Sequence, residues 1–132
     1  MNDEDLLDRA RMEFPRLFEE VKTYYSYAPL VLMIVLEDGR TFLYDDLNRT
    51  STCLPSDDGA MTRSQTNRVF GILLRKVMQR KGMTQQMLAD ATGLQQYQIC
   101  NYTYGKSSPS LYALDKIARA LGCSVEEFRY VK

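Results

Sequence analysis

The sequence predicts an α+β protein in two parts: a small acidic domain built from a helix and a β-hairpin, then a basic domain of five helices. Three observations carry that reading. The first is charge. The 132 residues hold 17 Lys/Arg and 17 Asp/Glu, yet residues 1–61 hold six against thirteen, a balance of −7, and residues 62–132 hold eleven against four, a balance of +7. The second is a change of period: a continuous apolar run followed by an Asp-Gly turn in the first half gives way to helical spacing in the second. The third is the stretch between them. Pro55 to Gln65 is rich in turn formers and polar residues without an apolar period, which reads as a linker. The expected division is 1–54, a linker over 55–67, and 68–132.

In the acidic part, Leu7, Ala10, Phe14, Leu17, Phe18 and Val21 keep a helical period. Pro15 should kink that helix or start a new one, and Ala28-Pro29 ends it. Leu30 to Leu36 makes a strand. Glu37-Asp38-Gly39-Arg40 holds an Asp-Gly two-residue turn with opposite charges beside it, and Thr41 to Asp45 returns with Phe42 and Tyr44 on one side. A third strand over Thr50–Leu54 has weaker support. One helix and one hairpin make a thin core, and the first strand is apolar on both faces. Leu32, Ile34, Leu36, Phe42 and Tyr44 are therefore candidates for a homodimer contact. The competing arrangement is a monomer with the strand sandwiched between the N-terminal helix and the basic domain.

In the basic part, Thr66 or Asn67 is placed to cap a first helix whose core face is Phe70, Leu73, Leu74, Val77 and Met78. Gly82 ends it. Thr84 caps a second helix with Leu88-Ala89 inward, and Gly93 supplies a left-handed stop. A third helix runs from about Gln96 to Tyr102, anchored by Ile99 and Tyr102, and Gly105 ends that segment. Ser107-Ser108-Pro109-Ser110 leads into a fourth helix with Leu111, Leu114, Ile117, Ala118 and Leu121 inward, stopped by Gly122. Ser124 and Glu127 have capping-box spacing for a last helix holding Val125 and Phe128.

Composition excludes several function classes. The longest apolar run, Leu30–Leu36, is seven residues, far short of the roughly 20 needed to span a bilayer. The N-terminal Met-Asn-Asp-Glu-Asp lacks the basic and apolar regions of a signal peptide, so a cytoplasmic protein with no membrane partner is expected. Cys53, Cys100 and Cys123 are widely spaced and histidine is absent. That argues against a disulfide framework, a zinc site and His-dependent nucleophilic catalysis. Asp45-Asp46 and Asp57-Asp58 sit among turn residues, where solvated loop acids are the expected role. Neither an enzyme nor a cofactor is expected.

The most informative stretch is Met83–Lys106. Two short helices joined by a Gly-containing turn form a helix-turn-helix, whose second helix enters a DNA major groove. Apart from Ile99 and Tyr102, that second helix carries Gln96, Tyr97, Cys100 and Asn101. Gln and Asn amides donate to and accept from an adenine edge together. With no Lys or Arg from Gln95 to Gly105, guanine reading by Arg is unavailable there and readout should lean toward A·T pairs. Tyr97 is placed either to stack on a thymine methyl or sugar or to cover the turn. Arg63 and Arg68 are either a short phosphate-touching arm or ordinary solubilising charges.

Thr84-Gln85, Leu88-Ala89, Gly93-Leu94, Ile99, Gly105, Pro109-Ser110-Leu111 and Ala118-x-x-Leu121-Gly122 are each weak alone but specific together. In their joint spacing, residues 69–130 resemble the lambda-repressor-like, Cro/Xre-type helix-turn-helix family. The resemblance implies a transcriptional regulator, a bacterial or phage repressor, that binds double-stranded DNA as a homodimer. It implies that Gln96, Tyr97 and Asn101 face base edges, with Gln95 and Gln98 at the margins. It also implies that Thr84 and Gln85 meet one phosphate backbone while Lys106, Ser107 and Ser108 meet the other. Two departures stand out. Many members pair an Arg late in the first helix with a Glu ending the third, where this chain has Met78 and Thr103. Losing one partner costs about 3–5 kcal/mol whereas losing both can be neutral, so these two positions are expected to lie together. Gln95 stands where Ser or Thr usually caps the third helix, which should cost about 1 kcal/mol. The rival function is a protein-interaction module on the same fold, an antirepressor or inhibitor acting through its acidic half.

Overall fold

The computed structural model describes residues 3–28, 30–54 and 62–128. It is an α+β protein whose chain divides into two compact units, residues 1–65 and 66–132. Among the described residues no helix is long and apolar enough to cross a membrane.

The acidic unit begins with α1 (Asp3–Glu13) and a 3-10 turn (Pro15–Glu19). The backbone N–H of Phe14 still reaches Ala10 O at 2.8 Å. Pro15, which has no N–H to continue the ladder, then opens the 3-10 turn. A strand that the helical spacing did not predict follows: β1 (Val21–Ala28) pairs antiparallel with β2 (Val31–Leu36). Val21 was expected on the helix and lies in β1 instead. The reason is composition: Val21, Thr23, Tyr24 and Tyr25 favour extended backbone. Yet most of this edge strand is exposed, so it carries no buried alternation to reveal it. With β3 (Thr41–Asp45) and β4 (Thr50–Cys53) the sheet runs β1-β2-β3-β4, antiparallel throughout.

The β2–β3 hairpin closes differently from the two-residue turn expected. Leu36 N–H donates to Arg40 O at 2.9 Å and Gly39 N–H to Leu36 O at 3.0 Å, so the loop is Glu37-Asp38-Gly39. A two-residue type I′ turn needs positive φ at both central residues. Here Gly39 alone adopts it, at 91°. Asp38 instead turns its carboxylate onto Arg40, accepting from the backbone N–H at 3.0 Å and from Nε at 2.8 Å. Those bonds hold its pKa below the usual carboxylate value.

Leu32, Ile34, Leu36 and Tyr44 are buried together with Leu6, Leu7 and Ala10, and Phe14, Leu17, Phe18, Val21 and Phe42 pack against them. Phe14 meets Tyr44 edge-on at 6.0 Å. The five residues expected to make a dimer contact, Leu32, Ile34, Leu36, Phe42 and Tyr44, are therefore committed to the core beneath α1. Alternation puts them on one face of the hairpin, and the N-terminal helix covers that face from within the chain. Beneath it, Tyr44 Oη donates to Asp46 Oδ1 at 2.7 Å. Asp46 is thus a buried, hydrogen-bonded carboxylate rather than a solvated loop acid, as is Asp45, which accepts from Leu47 N–H and Asn48 Nδ2.

The basic unit takes most of α2 (Arg63–Lys81), then α3 (Gln85–Thr92), α4 (Gln96–Thr103), α5 (Leu111–Leu121) and a closing 3-10 turn (Val125–Phe128). The expected linker lies outside the described residues up to Met61. Its last residues are helical. α2 starts earlier than Thr66 or Asn67 allows because Thr62 and Gln65 form the capping box: Gln65 N–H donates to Thr62 Oγ1 at 3.1 Å and Thr62 N–H to Gln65 Oε1 at 2.9 Å. Ser124 accepts from Glu126 N–H rather than pairing with Glu127, and the segment makes a 3-10 turn instead of a fifth α-helix. Leu111 is 86% exposed. At the first position of α5 its side chain leans beyond the helix end, and Ala113 takes the buried place.

Replacing Tyr44 by Phe leaves a buried Asp46 oxygen without its donor and should cost about 2 kcal/mol in urea unfolding. Burial first, then Asp46, raise the Tyr44 phenol above its ordinary value of 10.0. The fold therefore favours the protonated form, a contribution complete below pH 10 and lost as pH climbs past it. Wild-type stability should fall above pH 10 more steeply than that of Tyr44→Phe.

Candidate nucleic-acid interface

The geometry of α3 and α4 is set by local chemistry at their ends. Thr84 caps α3, its Oγ1 accepting from Met87 N–H at 3.2 Å. Thr92 closes the helix by donating to Leu88 O at 2.7 Å and accepting from Leu94 N–H at 3.2 Å. Gly93 turns the chain left-handed at φ 76°. α4 then starts at Gln95, which forms a capping box with Gln98. Gln98 Oε1 accepts the Gln95 N–H at 3.0 Å. Gln98 is thereby spent on structure.

Ile99, Tyr102 and Thr103 are buried, which decides what α4 turns outward. Gln95, Gln96 and Tyr97 are exposed, Tyr97 by 66%, and Asn101 and Gln98 are half-buried. Tyr97 and Asn101 are four residues apart and so adjacent on one face. At the far end Lys106 N–H donates to Asn101 O at 3.0 Å, with Gly105 left-handed at φ 73°. This six-to-one closure ties the exposed Lys106 to the end of α4, with Ser107 half-buried and Ser108 exposed beyond it. Ser110 begins α5 by accepting from Ala113 N–H at 3.2 Å.

Gln85 does two things. It stands at the first position of α3, and its Nε2 donates to Thr103 Oγ1 at 3.3 Å. Thr103 in turn donates to Cys100 O at 2.8 Å. The amide nitrogen carries a second hydrogen, so the bond to α4 leaves a donor. Met78 and Thr103 are both buried, and the polar partner that Thr103 finds is Gln85, a neutral bond in the place of a charged one.

Two features escaped the sequence reading. Gly71 lies in the buried stretch of α2, where a Cβ would stand 2.6 Å from Tyr102 O and 2.8 Å from Thr103 O. Gly105 is also close to Arg68: a Cβ there would stand 3.0 Å from the Arg68 Cα. The α2–α4 crossing is thus backbone against backbone, and it sets Arg68 beside the chain leading to Lys106. A glycine inside a helical period was the available signal, since such a residue forfeits helix propensity unless something approaches closely. Around the crossing, Phe70 meets Tyr102 edge-on at 6.3 Å and Phe128 at 5.5 Å. Burial pushes the Tyr102 phenol up.

A family model described as Helix-turn-helix matches residues 74–128. Over that stretch the chain matches the helix-turn-helix family. Over 58 residues it is 36% identical to the SPbeta prophage-derived uncharacterized HTH-type transcriptional regulator YonR of Bacillus subtilis strain 168, covering 44% of this chain and 54% of that protein. The chain thus spans about half the length of this relative. Among solved structures it is similar to the restriction-modification controller protein C.AhdI from Aeromonas hydrophila. Identity there is 30%, with 48% of this chain and 96% of that one covered, at a TM-score of 0.46. It is also similar to the clp gene regulator ClgR from C. glutamicum, at 27% identity, coverage of 48% and 82%, and the same TM-score of 0.46. Within the helix-turn-helix, α3 is the first helix, Gly93 the turn, and α4 the second helix.

Gly71→Ala tests the crossing. In an exposed helix this change would gain up to about 1 kcal/mol of propensity. Here the new methyl meets two carbonyl oxygens, and overpacking of that kind costs about 1–3 kcal/mol. The variant should melt below wild type.

Proposed function

We propose that the chain is a sequence-specific regulator of transcription, a repressor that occupies its operator with α4 in the major groove of double-stranded DNA. The observation that carries this reading is the outward face of α4, where Gln96 and Tyr97 are exposed and Asn101 is half-buried while Ile99, Tyr102 and Thr103 fill the core. The match to the helix-turn-helix family over residues 74–128 and similarity to a protein described as a transcriptional regulator support it.

In this reading Gln96 and Asn101 meet adenine edges through paired amide bonds, and Tyr97 packs on a thymine methyl or a sugar. Gln95 lies at the margin, and Gln98 contributes less because its oxygen caps the helix. Thr84, Gln85 and the free N–H groups at the start of α3 take one phosphate. Lys106, Ser107 and Ser108 take the opposite backbone, and Arg68 adds a cation beside them. Because α4 itself is uncharged, affinity comes from a second copy: a homodimer on two half-sites about one DNA turn apart multiplies two weak contacts. Its contact surface lies outside Leu32, Ile34, Leu36, Phe42 and Tyr44.

Selection of binding sites from random DNA should return A·T-rich paired half-sites. Gln96→Ala and Asn101→Ala should each lose about 1–3 kcal/mol of discrimination at the base they read. Lys106→Ala should weaken all DNA alike and reduce the salt slope by about one. A Gln96→Ala, Asn101→Ala double variant that binds every DNA as well as wild type would overturn the reading and favour a protein partner. Light scattering that finds a monomer on and off DNA would remove the dimer.

A further inference from the structure

Arg9, Met12 and Glu13 of α1, Tyr44 of β3, and Asp46 and Arg49 of the β3–β4 turn line a half-open cavity of about 260 Å³. Its floor is chemically closed. Asp46 Oδ1 accepts from Tyr44 Oη at 2.7 Å and Oδ2 from Arg9 Nη1 at 3.2 Å, and the Asp46 side chain is only 5% exposed.

The rim is different. Arg49 Nη1 reaches Glu13 Oε1 at 3.4 Å, with the two side chains 61% and 39% exposed. A long, solvated pair of this kind holds its partners weakly. Each guanidinium has five N–H donors and no acceptor, and these contacts use one from Arg9 and one from Arg49. The cavity therefore has donors in excess while the buried acceptors are already engaged. An anionic, acceptor-rich group matches that wall. The nearby Asp46 and Glu13 carboxylates select against a dianion, and the exposed Met12 side chain offers apolar surface to the rest of a ligand.

The backbone points the same way. Arg49 is left-handed at φ 52°, in a four-residue turn joining the paired residues Asp45 and Thr50. Gly or Asn fills such a position with less strain. An arginine there is explained by its side chain, which reaches back to α1.

We propose that this cavity binds a small monocarboxylate with a short apolar body. Its carboxylate replaces Glu13 on Arg49 and takes a second donor from Arg9. The site lies within the acidic unit.

The test is an NMR titration of the full chain with benzoate, butyrate and acetate, with inorganic phosphate and n-butanol as controls, read at the Met12 methyl and the Tyr44 ring. Benzoate and butyrate should give saturable shifts, stronger than acetate, and the controls none. Glu13→Gln removes the competing carboxylate and should tighten benzoate binding about two- to fivefold. Arg49→Asn should weaken it about tenfold or more without lowering the melting temperature, since Asn accepts the left-handed backbone. Loss of binding without loss of stability is what a purely structural ion pair does not produce. No saturable shift with any carboxylate, equal shifts with phosphate or butanol, or wild-type affinity in Arg49→Asn would each overturn the proposal.

Discussion

The closeness with which the last turn of α4 approaches α2 governs what the basic unit presents to its surroundings. Gly71 has the Tyr102 and Thr103 carbonyls where its side chain would be, and Gly105 rests on the Arg68 backbone. Two helices in such contact have little freedom to rotate about their own axes. Ile99, Tyr102 and Thr103 therefore point inward, and Gln96, Tyr97 and Asn101 outward. Dense interiors respond to displacement by discrete repacking rather than smooth deformation, so a shift at the crossing would be felt along the whole of α4.

A second constraint ties α4 to α3 without a charge. Here the chain of contacts runs from Gln85 to Thr103 to the Cys100 carbonyl. Neutral groups avoid the desolvation penalty that a buried pair incurs. At the other end Gln98 closes α4 onto the Gln95 N–H. The motif holds both ends of α4 with amide side chains. That leaves Arg68 and Lys106 as its flanking cations.

The acidic unit shows how a thin domain closes its core. β2 alone is apolar on both sides, but α1 and the 3-10 turn cover the face holding Leu32, Ile34 and Tyr44. The unit then spends polar bonds inside that core, with Tyr44 donating to Asp46 and Arg9 bridging to the same carboxylate. Asp46 looked like a loop acid because its neighbours are turn formers. Only the folding of α1 over the hairpin encloses it.

What the amino-acid sequence determined by itself was local. Hydrophobic spacing, Thr84 and Gly93, and the Gly105 and Gly122 stops placed α3, α4 and α5, because caps and left-handed glycines act within one helical turn. The hairpin strands and the outward amides of α4 were legible for the same reason. Tertiary structure decided what depends on distant partners. β1 became a strand because β2 offered it an edge, although its exposed tyrosines carry no buried period. Gly71 acquired its role from carbonyls some thirty residues away, and Gln85 was drawn partly inward by Thr103. Spacing along a chain reports which face of an element is apolar. It does not report which backbone or polar atom another element will set against it, and such approaches fixed the geometry of this site.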